Sequence, residues 1–293
     1  MRSNSLYLAL LVFAAPLTAP AQTFDALMKT GRAQMDSNKA DNAVKTFEQA
    51  VKLAPQNADA HYQLGGALGT VAEKASVFKQ PFLAKRVKSE FEKAVELDPR
   101  HIGARNGLVQ FYLKAPGVMG GSVDKAREQA AAIMAINRLR GHFARAEIAN
   151  DQKDLAGEET EYRAAFNEFP DSLNALTTLV SFLANNNKPA DAFVPIERYL
   201  AAKPNDRVAL YWYARSAAVT GTHLERGEQI LRNMIANPVD TGPRIAREGM
   251  HYRLGDIAAK KGDAATARAE YQEALRINPK FEPARKALSA MPK

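Results

Sequence analysis

The sequence lacks cysteine throughout its 293 residues. This excludes disulfide bonds, thiolate chemistry and lipid attachment through an N-terminal cysteine. The chain also has only one tryptophan, and no apolar run reaches the roughly 20 residues that a bilayer-spanning helix needs. Runs of five or more basic residues are absent as well. Hydrophobic residues nevertheless make up 46% of the chain, enough to bury a sizeable core.

The first residues, MRSNSLYLALLVFAAPLTAPAQ, have the order of a secretory leader. Arg2 precedes an apolar run from Leu6 to Ala15, and an Ala19-x-Ala21 pattern of small residues follows. This order predicts a signal peptide over residues 1–21 that is removed on export. The alternative is a membrane anchor, for which the apolar run is too short. We expect a periplasmic protein, with secretion into the medium as the second choice.

The net charge is +8 at pH 7. Removal of the leader takes away only Arg2, leaving 39 basic against 32 acidic residues, or +7. An excess of this size favours acidic partners or weak contact with an anionic envelope surface. Nucleic acid would be the default partner of a cytoplasmic chain this basic, but export argues against it.

Segments with the same pattern recur along the chain. TFEQAVKLAP ends at Pro55, EFEKAVELDP ends at Pro99, and YQEALRINP ends at Pro279. The segments that end at Pro99 and Pro279 are each preceded by a second shared pattern. It consists of a histidine, a leucine–glycine pair and a small or aliphatic residue: His61-x2-Leu64-Gly65-x2-Leu68 and His251-x2-Leu254-Gly255-x2-Ala258. Each unit therefore reads as two amphipathic helices that end at a proline.

The prolines also set the period. Pro170, Pro204 and Pro238 are each 34 residues apart, whereas Pro55 and Pro99 are 44 apart because of a ten-residue insertion. The pattern resembles the tetratricopeptide repeat (TPR), which has a 34-residue period. The resemblance implies an all-α, right-handed superhelical solenoid of about seven helical hairpins plus a C-terminal capping helix. The repeats would span 24–57, 58–101, 102–138, 139–172, 173–206, 207–240 and 248–281, with the cap at 282–293.

The glycine landmarks have a steric interpretation. Gly65 and Gly255 are expected where the two helices of a hairpin cross most closely, and Ala43, Ala192 and Ala267 are expected at the facing position. The alternative is an ordinary helical bundle that resembles the repeat by chance. Two spacings of 34 residues argue against it.

No catalytic or metal-binding constellation is evident. The five histidines are scattered, and no two have the i, i+4 spacing of ligands on one helix face. We expect no enzyme activity, no metal and no cofactor, and a packing role for His61 and His251. The glycine-rich stretch APGVMGGSVDKA lacks the P-loop lysine before Ser122. Ser122 is predicted to cap the following helix, with a weak anion site there as the alternative.

The insertion VAEKASVFKQPFLAKR, residues 71–86, has four basic residues, one acid and two phenylalanines, Phe78 and Phe82. It could dock a partner or contact a membrane surface. The interpretation we favour is structural: the insertion extends the hairpin and packs its phenylalanines on the neighbouring helix.

The resemblance implies a non-catalytic scaffold or adaptor in the cell envelope that holds a protein or peptide in its concave groove. The alternative is an accessory subunit of an envelope enzyme or of a polysaccharide export machine. Groove positions lie four residues apart on the first helix of each repeat. They predict partner-binding residues Tyr62, Asn106, Gln110, Tyr211, Arg215 and Tyr252. The competing interpretation is that the tyrosines pack on the adjacent helix while Arg215 pairs with Asp256.

One known TPR subfamily grips a C-terminal carboxylate with lysine, asparagine and arginine on its first three repeats. The matching positions here hold Met28, Arg32, Gln63, Gly103 and Asn106. The resemblance therefore does not extend to that carboxylate clamp, and its chaperone partners are not expected.

Overall fold

The computed structural model describes residues 23–239 and 245–292. Fifteen α-helices and no strand occur within these residues, so the predicted all-α class is confirmed. None of these helices is both long and apolar enough to span a bilayer. The predicted leader, residues 1–21, lies outside the described residues.

Most helices pack against the next helix of the chain, and the hairpins are numbered by repeat. α1 and α2 make hairpin 1, α3 and α4 hairpin 2, α7 and α8 hairpin 4, α11 and α12 hairpin 6, and α13 and α14 hairpin 7. The helices are α1 Phe24–Asp36, α2 Ala40–Leu53, α3 Ala58–Lys74, α4 Gln80–Leu97, α5 Ile102–Lys114, α6 Val123–Ile136, α7 Arg138–Asp151, α8 Leu155–Glu168, α9 Leu173–Asn185, α10 Phe193–Ala202, α11 Arg207–Thr220, α12 Leu224–Ala236, α13 Arg247–Lys260, α14 Ala264–Ile277 and α15 Glu282–Ala290.

Short polar side chains start many of these helices, as their local chemistry requires. Asn57 accepts a hydrogen bond from the backbone N–H of Ala60, at 3.0 Å, and Asp263 accepts one from Thr266, also at 3.0 Å. Ser122 accepts from the N–H of Lys125 at 3.3 Å, which confirms the predicted cap of α6. These oxygens pair with backbone donors that have no partner within the helix.

The chain divides into two compact units, within residues 1–111 and 112–293. In the first unit, the centre of the core is an aromatic ring held between glycines. A Cβ atom built on Gly65 would lie 2.8 Å from the ring of Phe91, and one built on Gly107 would lie 2.6 Å from the same ring. Phe91 is buried, and both glycines are therefore required for α3 and α5 to approach α4 this closely.

The predicted close crossing at Gly65 and Gly255 is confirmed, and the atoms nearest to both glycines belong to aromatic rings. Ala43 and Ala267 are fully buried. Gly255 faces Tyr271, whose Cε1 atom lies 2.4 Å from the position of a Cβ atom on this glycine. A ring presents a flat face to a glycine, so it fills the crossing better than a methyl group does.

The core of the second unit consists of successive apolar clusters. α9, α10 and α11 share one cluster around Leu176, Ile196 and Tyr213. A second joins α11, α12 and α13, and a third joins α13 and α14 to the last helix, α15, through Ala284. The clusters are contiguous because each hairpin buries its apolar face only against the next one.

The insertion in hairpin 2 extends the hairpin, as predicted, because α3 runs to Lys74 and α4 begins at Gln80. The predicted packing of its phenylalanines is wrong. Phe78 is 96% exposed and Phe82 is 66% exposed. The turn lies beside the start of α2, and an open groove lined by Ala40, Asp41, Phe78 and Phe82 leaves both rings in contact with solvent.

Candidate functional site

The histidines serve the packing of the hairpins. His61, His142 and His251 lie on the first helices of hairpins 2, 4 and 7, and each pairs through Nδ1 with a glutamate of the second helix. The pairs are His61–Glu90 at 2.6 Å, His142–Glu161 at 2.7 Å and His251–Glu270 at 2.7 Å. Within the described part of the chain, no group of three or more potential metal ligands is present.

Aromatic and arginine side chains come together where the first helices of hairpins 6 and 7, α11 and α13, contact each other. On α11, the guanidinium of Arg215 stacks over the ring of Trp212, 4.4 Å from its centroid. The hydroxyl of Tyr211 reaches α13, where it lies 3.3 Å from the position that a Cβ atom would take on Gly249. α11 therefore contributes a partly buried, cationic and aromatic surface.

α13 continues this surface with a second arginine. Arg253 stacks over the ring of Tyr252 at 4.7 Å and donates a hydrogen bond from Nη1 to Asp256 at 2.8 Å. The buried Nε atom of Arg253 has no hydrogen-bond partner. The carboxylate of Asp256 also accepts from the Tyr271 hydroxyl at 3.0 Å. We call the set Tyr211, Trp212, Arg215, Tyr252 and Arg253 the α11–α13 patch.

The electrostatics of this patch favour an anion. Burial, reinforced by the positive charge of Arg253, lowers the pKa of Arg215. No acid within the described residues forms an ion pair with Arg215. Burial raises the pKa of Asp256, whose carboxylate is already occupied. Only Arg253 pairs with this carboxylate, and an added negative charge beside Arg215 would offset the repulsion between the two guanidinium groups.

The structure places the predicted groove residues in two groups. Tyr211, Arg215 and Tyr252 meet in the α11–α13 patch, whereas Tyr62, Asn106 and Gln110 belong to the first unit. Gln110 is exposed and Asn106 partly buried, while the ring of Tyr62 packs against His101 and Phe91, with centroid distances of 4.9 and 6.2 Å. The role of all six residues in binding stays a prediction.

The competing interpretation of the patch is correct in one respect and wrong in another. Tyr252 does pack on neighbouring rings, since its centroid lies 5.9 Å from that of Tyr271 and 5.7 Å from that of Phe281. The expected pair of Arg215 with Asp256 does not form, because Arg253 lies on the same helix one turn before the carboxylate and takes its place.

Sequence reasoning missed Trp212 and Arg253. Both are direct neighbours of predicted residues, Tyr211 and Tyr252, and an arginine three residues after a tryptophan is a spacing that lets the two side chains stack on a helix. That spacing, together with the only tryptophan of the chain, was the available signal.

A second feature of this unit is a cavity of about 540 Å³ between α7, α8 and α9. Its walls are mostly amide and hydroxyl groups, with two aromatic rings, Tyr162 and Phe182. Glu158 lies at its base, buried, and accepts a hydrogen bond from the side chain of Asn150 at 3.0 Å. Such a lining suits a neutral, hydroxyl-rich or amide-rich ligand.

Two family models match the chain. Residues 31–70 match a model described as TPR repeat, and residues 250–281 match one described as tetratricopeptide repeat. No curated protein matches the sequence.

Solved structures are similar to the chain at low sequence identity. A tetratricopeptide repeat protein from Parabacteroides merdae is 11% identical, with 91% of this chain and 97% of that chain covered and a TM-score of 0.48. The structure of pilF from Pseudomonas aeruginosa is 15% identical in sequence, with 92% of this chain and 97% of that chain covered and a TM-score of 0.45. A thermophilic TPR protein of Thermus thermophilus is 17% identical, with 66% of this chain and 98% of that chain covered and a TM-score of 0.46. The matches to the two family models thus cover the first two hairpins in part and the last hairpin.

Proposed function

We propose, on the premise that this chain is a tetratricopeptide-repeat protein, that it is a non-catalytic scaffold holding a protein or peptide on the α11–α13 patch. The observation that carries the proposal is Arg215, a half-buried guanidinium stacked on Trp212 with no acid partner among the described residues. Tryptophan, tyrosine and arginine are the side chains that most often dominate binding energy at protein interfaces.

The chemistry of the patch selects among partners. A carboxylate from an acidic side chain or a chain end would pair with Arg215, while apolar groups beside it would cover the rings of Trp212 and Tyr252. Charge-assisted hydrogen bonds of this kind are stronger than neutral ones, and partial burial protects them from water. The proposed partner segment is therefore acidic with flanking apolar residues.

We place this scaffold in the bacterial periplasm. The support is the leader-like order of residues 1–21 and the absence of cysteine. The basic charge of the chain would add weak contact with an anionic envelope surface. Cell fractionation with detection of the shortened chain tests this location, and an uncleaved chain in the cytoplasmic fraction would contradict it.

The first testable prediction concerns the patch itself. A random displayed peptide library selected on the purified protein should yield peptides enriched in Asp and Glu. Replacing Tyr211, Arg215 and Tyr252 together by Ala should weaken a selected synthetic peptide by roughly 30-fold or more, since one anchor of this type often contributes about 2 kcal/mol. Fluorescence anisotropy measures the change in Kd.

Arg226→Ala is the matched control. Arg226 also stacks on an aromatic ring, 4.3 Å from the centroid of Tyr213, but it lies on the second helix of hairpin 6. Peptide affinity should survive this substitution. Equal losses in both variants would show that the peptide binds elsewhere, and a selected pool without acidic enrichment would show that the patch does not take an anion.

The alternative function, an accessory subunit of an envelope enzyme or a polysaccharide machine, has support in the cavity between α7, α8 and α9. Its hydroxyl and amide groups, with Tyr162 and Phe182 beside them, resemble the groups that contact sugars. Binding of envelope oligosaccharides that is lost in Tyr162→Ala and kept in the triple patch variant would favour this alternative.

A further inference from the structure

The turn of hairpin 2 carries an unusual concentration of exposed apolar side chains. We define the hairpin 2 tip as residues 74–85. Val77 is 75% exposed, Phe78 96% and Phe82 66%. These are the two exposed phenylalanines of the described chain, and they lie four residues apart. Two phenylalanine rings left in water contribute little to folding stability, and together they form an exposed apolar patch that calls for a partner.

The tip is an ordered turn. The backbone N–H of Lys79 donates to the carbonyl of Ser76 at 2.8 Å, and the side-chain amide of Gln80 donates to the carbonyl of Ala75 at 3.2 Å. Pro81 lies in the first turn of α4, where its fixed φ favours the helix start. The rings are therefore presented on a defined scaffold.

The charge of the tip has one sign. It contains Lys74, Lys79 and Lys85 and no acidic residue. None of these lysines forms an ion pair with a described residue. Arg86, the next residue, is already paired with Glu48 at 2.6 Å. A partner surface that suits the tip is therefore anionic and has an apolar layer that the two phenylalanine rings can reach.

Two observations favour lipid over protein as the occupant. The basic residues of the tip are all lysines, which protein interfaces are depleted in, whereas anionic lipid surfaces attract lysine and arginine alike. Phe78 also has almost its whole ring free, and the open groove beside it, which Ala40 and Asp41 also line, does not enclose the ring as a protein hot spot is enclosed. A projecting ring between lysines suits insertion among headgroups.

We propose that the hairpin 2 tip docks on an anionic phospholipid surface, with Phe78 and Phe82 inserted at the interface and the three lysines among the headgroups. This deepens the envelope contact proposed above and rests on that proposal only for the identity of the membrane. It does not depend on the α11–α13 patch, which lies in the other unit.

Co-sedimentation of the purified protein with phosphatidylcholine vesicles, with and without phosphatidylglycerol, tests the proposal. Binding should require phosphatidylglycerol and weaken at high salt. Phe78→Ser with Phe82→Ser should lower the partition coefficient by about tenfold or more, because each ring loses its apolar transfer. Lys74→Gln and Lys79→Gln should each lower it roughly fivefold.

Val118→Ser is the matched control, because Val118 is also 96% exposed, in a turn of the other unit. It should bind vesicles as the unchanged protein does. Equal binding of the double phenylalanine variant, or equal binding without phosphatidylglycerol, overturns the proposal.

A site-specific probe gives a second readout. Because the chain has no cysteine, Phe78→Cys introduces a unique site for a solvent-sensitive fluorophore, with Val118→Cys as its counterpart. The label at 78 should shift to the blue with anionic vesicles and the label at 118 should not. No response at 78 would exclude lipid and leave a protein as the occupant of the tip, while peptide binding at the α11–α13 patch reports separately on the scaffold function.

Discussion

At the residue scale, the fold depends on a few positions where a side chain has no room. Gly65 and Gly66 are neighbours on α3, yet only the first faces another helix. A Cβ atom on Gly65 would lie 2.8 Å from the Phe91 ring, whereas one on Gly66 would have no neighbour within 4 Å. The ring cannot retreat, because Gly107 holds its other side.

This contrast gives a matched pair of predictions. Gly66→Ala should stabilise the protein by about 0.5–1 kcal/mol, because alanine loses less backbone entropy in a helix. Gly65→Ala should destabilise it by about 1–3 kcal/mol through overpacking, despite the same gain in helix propensity. Urea unfolding of the two variants measures both values. Equal stability of the two would mean that α3 and α4 are farther apart than described.

The histidines show a second effect at this scale. A buried imidazole leaves two ring nitrogens that need partners. His61 finds both, Glu90 at Nδ1 and the carbonyl of Pro55 at Nε2, 3.0 Å away. In His251, Nε2 has no partner. The position that His61 and His251 occupy in their repeats therefore also links the two helices of a hairpin through a hydrogen bond.

At the element scale, the turn between α5 and α6 shows why its glycines are needed. Gly120 has a φ of +97°, in the left-handed region. Gly121 does not have a positive φ, but a Cβ atom there would lie 1.8 Å from the carbonyl oxygen of Ala115. Backbone contact is therefore the reason for glycine at this position.

Gly121→Ala should destabilise the second unit by about 2 kcal/mol or more, since the turn must open to relieve a backbone contact. The backbone bond from Ser122 N–H to the carbonyl of Tyr112, 2.9 Å long, should be lost with it. Gly117 lies in the same turn, and a Cβ atom there would have no neighbour within 4 Å. Gly117→Ala should therefore leave the stability nearly unchanged. Thermal melting followed by circular dichroism measures the stability of the two variants, and amide exchange at Ser122 reports on its hydrogen bond. If Gly121→Ala melts as Gly117→Ala does, Gly121 does not contact the carbonyl of Ala115.

The insertion of hairpin 2 belongs to the same scale. Ten extra residues add turns to α3 and α4, so the hairpin grows lengthwise while its base keeps the packing of Gly65 and Phe91. The added length forms the hairpin 2 tip, which lines an open groove with Ala40 and Asp41 at the start of α2. Exposure of Phe78 and Phe82 follows from this extension.

At the scale of the whole molecule, buried tyrosines link stability to alkaline pH. Burial is the main cause that raises the pKa of Tyr162 to about 12, and the same holds for Tyr199. In the unfolded chain both titrate near 10. The neutral phenols therefore contribute stability that is fully present below pH 10 and is lost as the pH rises through 10 toward 12.

The free energy of unfolding should thus fall steeply between pH 10 and 12, and Tyr162→Phe should make the fall shallower. Urea unfolding at several pH values, with the ultraviolet absorbance of phenolate as a parallel record, measures both. If the curve of Tyr162→Phe is parallel to that of the unchanged protein, Tyr162 ionises freely in the folded state.

The sequence by itself determined the all-α class and the pairing of the helices, because period, caps and closing prolines act through local backbone chemistry. Ser122 could be assigned as a cap, and the tyrosines and arginine of α11 and α13 as candidate surface, from spacing alone. Only the tertiary structure decided what faces what: that Phe91 lies between Gly65 and Gly107, that Arg253 displaces Arg215 from Asp256, and that Phe78 is left uncovered. These outcomes depend on distances between side chains that are far apart in sequence or compete for one partner, and no local pattern records such distances.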